Sequence, residues 1–298
     1  SVVGLSVAAI PEGLPAVLTI TLAIGVRTMA QRNAIVRRLP AIETLGAVSV
    51  ICSDTTGTLT RNEMMAADVV IADQVYQITG EGYAPAGGIL RNGQTLAAGA
   101  DPLLTAFARA AYWCNDARLH EQEGQWCTEG DPMEGALLAL AGKISGQGGQ
   151  AFGGHTRLDA VPFDAAHRYM AVLSLDSDGL PHIYVKGAPE ALLAMCAQQR
   201  TPEGNAPLDA DYWLQQVEKL AEKGRRVLAV AERAAAAGQT ALSSADIAQS
   251  LQFIGLVGLI DPPRAEAVAA VQQCREAGIQ VKMITGDHAA TARAIARE

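Results

Sequence analysis

Aromatic residues are scarce in this sequence, since Phe, Trp and Tyr make up only 4% of its 298 residues. A hydrophobic core must therefore come mainly from Ala, Val, Leu and Ile. Charged residues account for 18% and hydrophobic residues for 49%, which is an apolar balance for a purely soluble protein. The length allows two domains, or one large domain with an appendage.

Basic residues are also in the minority, with 23 Lys and Arg against 31 Asp and Glu and a net charge of −8. A nucleic-acid surface needs a basic face, so we expect no nucleic-acid partner. No C-x-x-C pair occurs. We interpret the scattered cysteines as reduced thiols in a cytosolic setting, not as a disulfide framework or a zinc site. They are Cys52, Cys114, Cys127, Cys196 and Cys274.

Residues 1–29 form an almost uncharged run in which Glu12 is the only charge before Arg27. A helix needs about 20 residues to cross a bilayer. The prolines of P-E-G-L-P at 11–15 would interrupt its hydrogen-bond ladder. Carbonyls freed in this way, next to a carboxylate, make an oxygen-rich cation site inside a membrane. The alternative is a proline-kinked core helix of a soluble protein with an exposed Glu12.

The flanks of this run favour the membrane interpretation. Basic residues follow it at once, as expected for the cytoplasmic end of a spanning helix; they are Arg27, Arg32, Arg37 and Arg38. The sequence starts inside the apolar run, without an initiator Met or a basic leader, so we expect it to be a fragment.

The stretch V-S-V-I-C-S-D-T-T-G-T-L-T at 48–60 predicts a short buried strand that delivers Asp54 into a tight loop. A carboxylate at the end of such a strand is where an α/β sheet places a reactive group. The hydroxyls and backbone N–H groups that follow are suited to phosphate oxygens. The alternative is an ordinary surface turn.

The end of the sequence predicts a strand at 253–260, a helix at 264–277 stopped by Gly278, and a strand ending in T-G-D at 285–287. This β-α-β order requires a parallel sheet, and the simplest partner is the strand at 48–52. The residues between would then form an inserted domain.

For the inserted region the patterns predict alternating helices and strands. Asp101 is a candidate helix N-cap, Asp178-Gly179 a candidate hairpin turn, and 80–93 a glycine-rich loop. We expect helices at 101–114, 131–144, 188–196 and 211–223. We expect strands within 65–79 and at 157–163, 168–176, 182–186 and 226–232.

These segments contain several motifs in a fixed order. They are P-E-G-L-P at 11–15, N-A-I-V-R-R-L-P-A-I-E-T-L-G at 33–46, C-S-D-T-T-G-T-L-T at 52–60, G-D-P-M-E-G-A-L at 130–137, K-G-A-P-E at 186–190, D-P-P-R at 261–264 and T-G-D at 285–287. With them the chain resembles the P-type cation-transporting ATPases, and looks closest to the calcium-pump branch.

The resemblance implies an α/β fold. It consists of an incomplete, haloacid-dehalogenase-like (Rossmann-type) phosphorylation domain, an inserted α+β nucleotide-binding domain and one N-terminal transmembrane helix. The implied boundaries are 1–31 for the helix, 32–61 and 253–298 for the two parts of the phosphorylation domain, and 62–252 for the nucleotide-binding domain. Both domains would lie in the cytoplasm, beside a lipid bilayer.

The resemblance further implies that Asp54 accepts the γ-phosphoryl group of ATP. Mg²⁺ would be held by Asp54 and the Thr56 carbonyl and would neutralise charge during the transfer. Thr285 and Gly286 would hold the phosphate, with Thr58 and Asp287 in the same pocket.

In the inserted domain, Phe163 matches the aromatic residue on which adenine stacks, and Lys186 matches the lysine deep in the nucleotide pocket. Gly187 would allow close approach of the ligand. The further implied ATP contacts are Glu134 near the adenine, Arg168 and the phosphate-binding Arg226. Asp261 and Arg264 look like hinge and phosphate-side residues.

Glu12 becomes a ligand of the transported cation, together with the carbonyls near Val7, Ala8 and Ile10. P-E-G-L-P favours the calcium-pump relatives over the sodium/potassium pumps. Ca²⁺ is therefore the expected cargo, with Mn²⁺ or another cation as the alternative.

The sequence departs from the family pattern at two points. Thr55 stands where the family motif has lysine, which removes a favourable charge beside the carboxylate, worth on the order of 2–3 kcal/mol before screening. The sequence also stops before the family's downstream lysine and Gly-Asp-Gly-x-Asn-Asp segment, and it lacks the actuator domain. We therefore expect this chain to bind nucleotide at most.

Two alternatives to a cation pump stay open. One is a soluble phosphohydrolase of the haloacid-dehalogenase class, although that class normally has a second Asp where this chain has Thr56. The other is a non-catalytic nucleotide-binding remnant, in keeping with Thr55.

Overall fold

The computed structural model of the chain describes residues 13–38, 40–148, 152–248, 251–285 and 289–297. The chain divides into two compact units. The first contains residues 1–53 and 269–282, and the second residues 54–268 and 283–298.

The described residues form helices throughout both units. They are α1 (Leu14–Gln31), α2 (Pro40–Gly46), α3 (Pro102–Trp113), α4 (Pro132–Ser145), α5 (Pro189–Met195), α6 (Ala210–Glu222), α7 (Ser244–Ile247), α8 (Ala265–Glu276) and α9 (Ala289–Arg297).

The strands of the described residues are mostly short. They are β1 (Val50–Asp54), β2 (Met65–Ile71), β3 (Gln74–Ile78), β4 (Ile89–Arg91), β5 (Gln94–Leu96), β6 (Arg118–Gln122), β7 (Gln125–Glu129), β8 (Thr156–Val161), β9 (Tyr169–Leu175), β10 (Pro181–Gly187), β11 (Cys196–Thr201), β12 (Gly204–Pro207), β13 (Arg226–Ala234), β14 (Leu251–Ile260) and β15 (Gln280–Ile284).

In the first unit, α1 is long and apolar enough to cross a membrane, judged by length and composition alone. A proline in its first turn fits the helix start, where an N–H has no intrahelical partner. None of its side chains is buried, so α1 is not packed as a core helix. Leu18, Ile20 and Ile24 are each more than half exposed.

Strands β1 and β15 pair in a two-stranded sheet. The N–H of Gln280, the first residue of β15, donates to the carbonyl of Ser49, just before β1, at 2.9 Å. The two strands therefore begin side by side and end side by side. This agrees with the expected pairing between the Asp54 strand and the strand that leads to Thr285.

The second unit contains an 11-stranded sheet built from the described strands, in the order β5-β4-β3-β2-β14-β13-β10-β9-β8, with β11 paired to β14 and β12. Neighbours along the main path are antiparallel, and the β11–β14 pair is parallel. Apolar side chains fill both faces. One face packs under α3 and α4 around Phe107 and Leu137, and the other under α5 and α6 around Trp213.

The structure corrects the expected place of the strand at 253–260. Strand β14 pairs with β2 on one side and β13 on the other, both antiparallel, inside the large sheet. The expectation that it shares a sheet with β1 is therefore wrong. A continuous apolar run indicates a strand buried on both faces, but it does not say which sheet holds the strand.

The predictions of helix caps and turns agree with the structure better than the predicted strand pairing does. Asp101 caps α3 by accepting from the N–H groups of Leu103 and Leu104 at 3.0 and 3.2 Å, as predicted. Gly278 follows α8 with a φ of +74°. The β9–β10 hairpin turns through Asp178-Gly179. The predicted loop at 80–93 is partly wrong because it contains β4, and the β6–β7 hairpin was not predicted.

The close packing of β14 against β2 leads to a prediction at Gly255. A Cβ added there would overlap the Val70 carbonyl oxygen and lie 3.0 Å from Ile71 Cγ1. Gly255→Ala should therefore lower the free energy of unfolding by about 2 kcal/mol, as overpacking usually does. Gly153→Ala is the control, since its Cβ would meet nothing within 4 Å. Equal urea denaturation midpoints for the two variants would contradict the pairing.

Candidate functional site

A buried ion pair joins two of the sequence-predicted site residues. Lys186 Nζ lies 2.5 Å from Glu134 Oε1 and donates to the Cys114 carbonyl oxygen, also at 2.5 Å. The side chains of Lys186 and Glu134 are only 7% and 14% exposed. The second oxygen of Glu134 accepts from the Asp116 N–H at 3.0 Å. Both carboxylate oxygens are thus engaged, and Glu134 fixes the position of the lysine.

The local sequence explains why Glu134 is in place. In D-P-M-E, Asp131 caps α4 by accepting from the N–H groups of Met133 and Glu134 at 2.8 and 3.2 Å, and Pro132 occupies the first turn. Glu134 therefore sits in the first turn of α4, where the helix dipole favours a negative charge.

Burial also keeps the neighbouring thiol neutral. It raises the pKa of Cys114 to about 11, although the Lys186 ammonium acts in the opposite direction. Cys114 is therefore a protonated, unreactive core residue at neutral pH, and it contributes to the site through its carbonyl.

Arg168 and Gly187 meet across strands β9 and β10. Arg168 has a φ of +59°, an uncommon left-handed conformation for a non-glycine residue. Its carbonyl accepts from the Ala188 N–H at 2.9 Å. A Cβ on Gly187 would overlap that carbonyl oxygen and lie 2.7 Å from Tyr169 Cα. Gly187 is therefore required by the packing of β10 against β9, whether or not a ligand approaches it.

Phe163 lies in the loop between β8 and β9, five residues before Arg168, and its side chain is 63% exposed. The loop is held by Asp164, whose carboxylate accepts from the Ala166 N–H at 2.7 Å and whose carbonyl accepts from the Arg168 N–H at 2.7 Å. Phe163 is not part of the core, and its ring is open to a stacking partner.

Arg226 lines a cavity of about 390 Å³ at the end of the sheet where β13 begins. Its guanidinium Nη1 lies 3.9 Å from Met133 Sδ, beside the start of α4. The start of α4 thus contacts both predicted nucleotide cations, Lys186 through Glu134 and Arg226 through Met133. The cavity is also lined by Thr56, Asn62, Met64, Asp131, Pro132, Gly224, Leu259, Ile260, Asp261 and Ile295.

The loop after Asp54 closes on itself through one carbonyl. The Thr55 carbonyl accepts from the N–H groups of Thr58, Leu59 and Thr60 at 3.0 to 3.3 Å. This leaves Asp54, Thr56 and Thr58 exposed, while Thr55 and Thr60 are buried. The three candidate catalytic positions of the loop therefore face solvent, as a phosphate-binding loop requires.

The D-P-P-R segment fastens this loop. Asp261 Oδ2 accepts from the Thr60 hydroxyl at 2.6 Å, and Oδ1 accepts from the Glu63 N–H at 3.2 Å. Arg264 donates from Nε to the Thr60 carbonyl at 2.9 Å and from Nη2 to the Gly57 carbonyl at 3.1 Å. Asp261 and Arg264 thus anchor the loop, whereas the sequence suggested hinge and phosphate-side residues.

The side chain of Thr55 is enclosed within the structure. The residue is fully buried, and its Oγ1 has no hydrogen-bond partner among the residues that the structure describes. Its N–H donates to Asp54 Oδ1 at 2.9 Å. Position 55 therefore presents backbone to the carboxylate and side chain to the interior.

Asp54 ends β1, and Thr285 directly follows β15, its paired strand. The Asp54 carboxylate and the Thr56 backbone carbonyl offer oxygen atoms, the type of ligand that Mg²⁺ prefers. The donor chemistry therefore fits that ion. Gly286 and Asp287 lie outside the described residues, as do Glu12, Val7, Ala8 and Ile10.

Comparison with known proteins decides the family. A family model described as "P-type ATPase, cytoplasmic domain N" matches residues 103–266, more than half of the chain. The chain belongs to the P-type ATPases. The match runs past residue 252 to the end of β14 and beyond, in agreement with the place of this strand in the large sheet.

Individual P-type ATPases align over 99% of the chain. The chain is 46% identical to the cation-transporting ATPase pma1 of Synechocystis sp., and 38% identical to the calcium-transporting ATPase of Bacillus subtilis. It is also 38% identical to the human calcium-transporting ATPase type 2C member 1. The chain spans about a third of these relatives, namely 33%, 34% and 31% of their lengths.

The sequence did not predict several residues that take part in the candidate site of this P-type ATPase chain. The Cys114 carbonyl and the Asp116 N–H carry no side-chain signal, so their contacts could not be predicted. The D-P-M-E start of α4 did carry a signal, because an N-cap Asp followed by Pro and Glu marks a helix start that favours anions.

The contrast between two buried threonines yields a prediction. Within the described part of the chain, Thr55 Oγ1 has no hydrogen-bond partner, whereas the Thr60 hydroxyl donates to Asp261 Oδ2. Thr55→Val should raise the free energy of unfolding by about 1 kcal/mol, because it removes an unsatisfied buried hydroxyl. Thr60→Val should lower it by about 2 kcal/mol, because it leaves a carboxylate oxygen unpaired. Urea denaturation of both variants checks this, and destabilisation by Thr55→Val would contradict it.

Proposed function

We propose that this chain is the nucleotide-binding and phosphoryl-accepting part of an ATP-driven cation transporter. The buried Lys186–Glu134 pair carries the proposal, because a lysine ammonium that a carboxylate and a backbone carbonyl hold in place near the end of β10 is suited to an anionic ligand. The pair lies within the region that matches the nucleotide domain of P-type ATPases.

In this proposal the chain recognises ATP from both ends. The exposed Phe163 ring stacks on adenine, and the Lys186 ammonium, with the Arg168 side chain, attracts the charged part of the ligand. Arg226, at the 390 Å³ cavity, binds phosphate oxygens with its planar guanidinium. Glu134 keeps Lys186 in position and lies near the adenine.

Asp54 is the proposed phosphoryl acceptor. Its exposed carboxylate attacks the γ-phosphorus, and ADP leaves with the electrons of the broken P–O bond. The hydroxyls of Thr56 and Thr58, with Thr285 and Gly286, hold the phosphate oxygens, and Asp287 lies in the same pocket. Asp54 and the Thr56 carbonyl would hold Mg²⁺, which lowers the repulsion between the carboxylate and the phosphate.

The proposed domain plan is a haloacid-dehalogenase-like phosphorylation domain with the large sheet as its inserted nucleotide-binding domain. The domains lie in the cytoplasm, and α1 lies in the bilayer, in keeping with its exposed apolar side chains. The transported ion is Ca²⁺, held by Glu12 and the carbonyls near Val7, Ala8 and Ile10. Calcium transport is in the names of two of the relatives above.

The nucleotide site is tested by titrating the chain with a fluorescent ATP analogue. Lys186→Met combined with Glu134→Gln removes both members of the buried pair, so that no charge is left unpaired. We expect an affinity at least about tenfold lower, since charge-assisted contacts to the ligand are lost. Lys143→Met is the matched control, because Lys143 is also buried, at 7% exposure, but does not line the site. Equal affinities for the two variants would refute the site.

The phosphoryl acceptor is tested in membranes of cells that express the whole gene containing this sequence. Incubation with γ-labelled ATP should give an acid-stable, hydroxylamine-sensitive phosphoprotein that requires Ca²⁺, and Asp54→Asn should abolish it. Thr55→Lys should increase its rate of formation, since a cation next to Asp54 offsets negative charge. Label that persists in Asp54→Asn would refute the assignment. No label in the wild type, with intact ATP binding, would favour a nucleotide-binding remnant.

A further inference from the structure

A second buried carboxylate, outside the residues assigned above, lies on β2, which β14 separates from the strand that carries Arg226. Asp68, on β2, is 4% exposed. Its Oδ2 lies 3.0 Å from Arg225 Nε and its Oδ1 lies 3.1 Å from Lys223 Nζ. Two cations that flank Gly224 thus converge on one carboxylate.

The chain between α6 and β13 makes a sharp turn at these residues. Gly224 has a φ of +72°, and its N–H donates to the Ala221 carbonyl at 2.8 Å. The N–H of Arg225 donates to the Leu220 carbonyl at 3.0 Å. Gly224 and Arg226 then line the 390 Å³ cavity. The turn therefore sets where the Arg226 guanidinium enters the cavity.

Alternation along the strand places the two arginines on opposite faces of the sheet. Arg225 lies on the α6 side, where its stem covers Gly258, whose added Cβ would come within 3.1 Å of it. Arg226 lies on the α4 side, next to Met133. The contact between Asp68 and Arg225 thus fixes the backbone from which the Arg226 side chain projects. Neither Asp68 nor Arg225 lines the cavity.

The backbone at Asp68 is also arranged for this contact. Asp68 pairs with Gly258, but the next rung of the β2–β14 ladder joins Leu259 to Ala66, so β2 bulges at the residue before Asp68. Bulges re-aim neighbouring side chains. Gly258 has no side chain to block the path from Asp68 to Arg225.

We propose that Asp68 is a positioning residue of the nucleotide site, which acts through Arg225 to hold Arg226 toward the ligand's phosphates. This inference rests on the proposed function, because it takes Arg226 as a phosphate contact. Asp68 and Arg225 do not touch the ligand. Their loss should weaken the binding of phosphate-bearing ligands and leave the binding of the nucleoside unchanged.

The experiment measures how well ATP and adenosine displace a fluorescent ATP analogue from the 298-residue chain. Asp68→Asn and Arg225→Gln should each weaken ATP binding by on the order of tenfold and leave adenosine within about twofold of wild type. The ATP affinity of the double variant should be no lower than that of either single variant, since both substitutions remove the same contact. If Asp68→Asn does not fold, Arg225→Gln alone still tests the proposal.

Glu232→Gln is the matched control. Glu232 is 5% exposed in the same sheet, and its Oε1 lies 2.7 Å from Arg200 Nη2, but it does not line the cavity. Its ATP-to-adenosine affinity ratio should equal that of wild type.

The possible outcomes separate the two proposals. If the wild-type chain does not bind ATP, both the proposed function and this inference fail. If wild type binds ATP and Arg225→Gln keeps the wild-type ratio, the positioning role alone is refuted. An equal loss of ATP and adenosine binding in both variants would mean a structural role only, and would also refute it.

Discussion

The pairing of β14 is the constraint on which most of the second unit depends. Because β14 has β2 on one side and β13 on the other, its end fixes two things at once. Leu259 pairs with Arg226, so the start of β13 is set beside the cavity. Asp261 follows Ile260 directly and accepts the Thr60 hydroxyl, so the loop after Asp54 is tied to the same strand end. A misplaced β14 would therefore disturb the proposed nucleotide contact at Arg226 and the loop after Asp54 together.

Around this strand the sheet retains buried charges that a purely structural core would avoid, because a buried ion pair adds little net stability compared with apolar residues of the same size. Lys186–Glu134 and Asp68–Arg225 are such pairs. They lie on opposite faces of one sheet, Lys186–Glu134 on the α4 side and Asp68–Arg225 on the α6 side. Because burial of these charges costs free energy of desolvation, the two pairs are better explained by the side-chain positions that they fix than by a contribution to stability.

Sequence alone could predict much of the local structure and the family, but not the long-range pairing. Asp101 and Gly278 act within a few residues of their own position, so cap and turn rules apply to them directly. The apolar run of β14 reports burial on both faces and nothing about its neighbours. Motif order placed Lys186 and Glu134 in one site, but their direct contact depends on how α4 packs on the sheet, and the role of Asp68 depends on a bulge. Neither leaves a local signature.

Thr55 shows how the structure changes the meaning of a sequence departure. From sequence, the loss of the family lysine is a loss of charge beside Asp54. In the structure the side chain at this position is fully enclosed, and the backbone carries the interactions, with three N–H groups on the Thr55 carbonyl and its own N–H on Asp54. A threonine leaves this backbone arrangement intact. A lysine must carry its ammonium out of the enclosed position, since an unpaired buried charge is expensive. The departure therefore changes the charge near Asp54 while the loop that follows Asp54 keeps its shape.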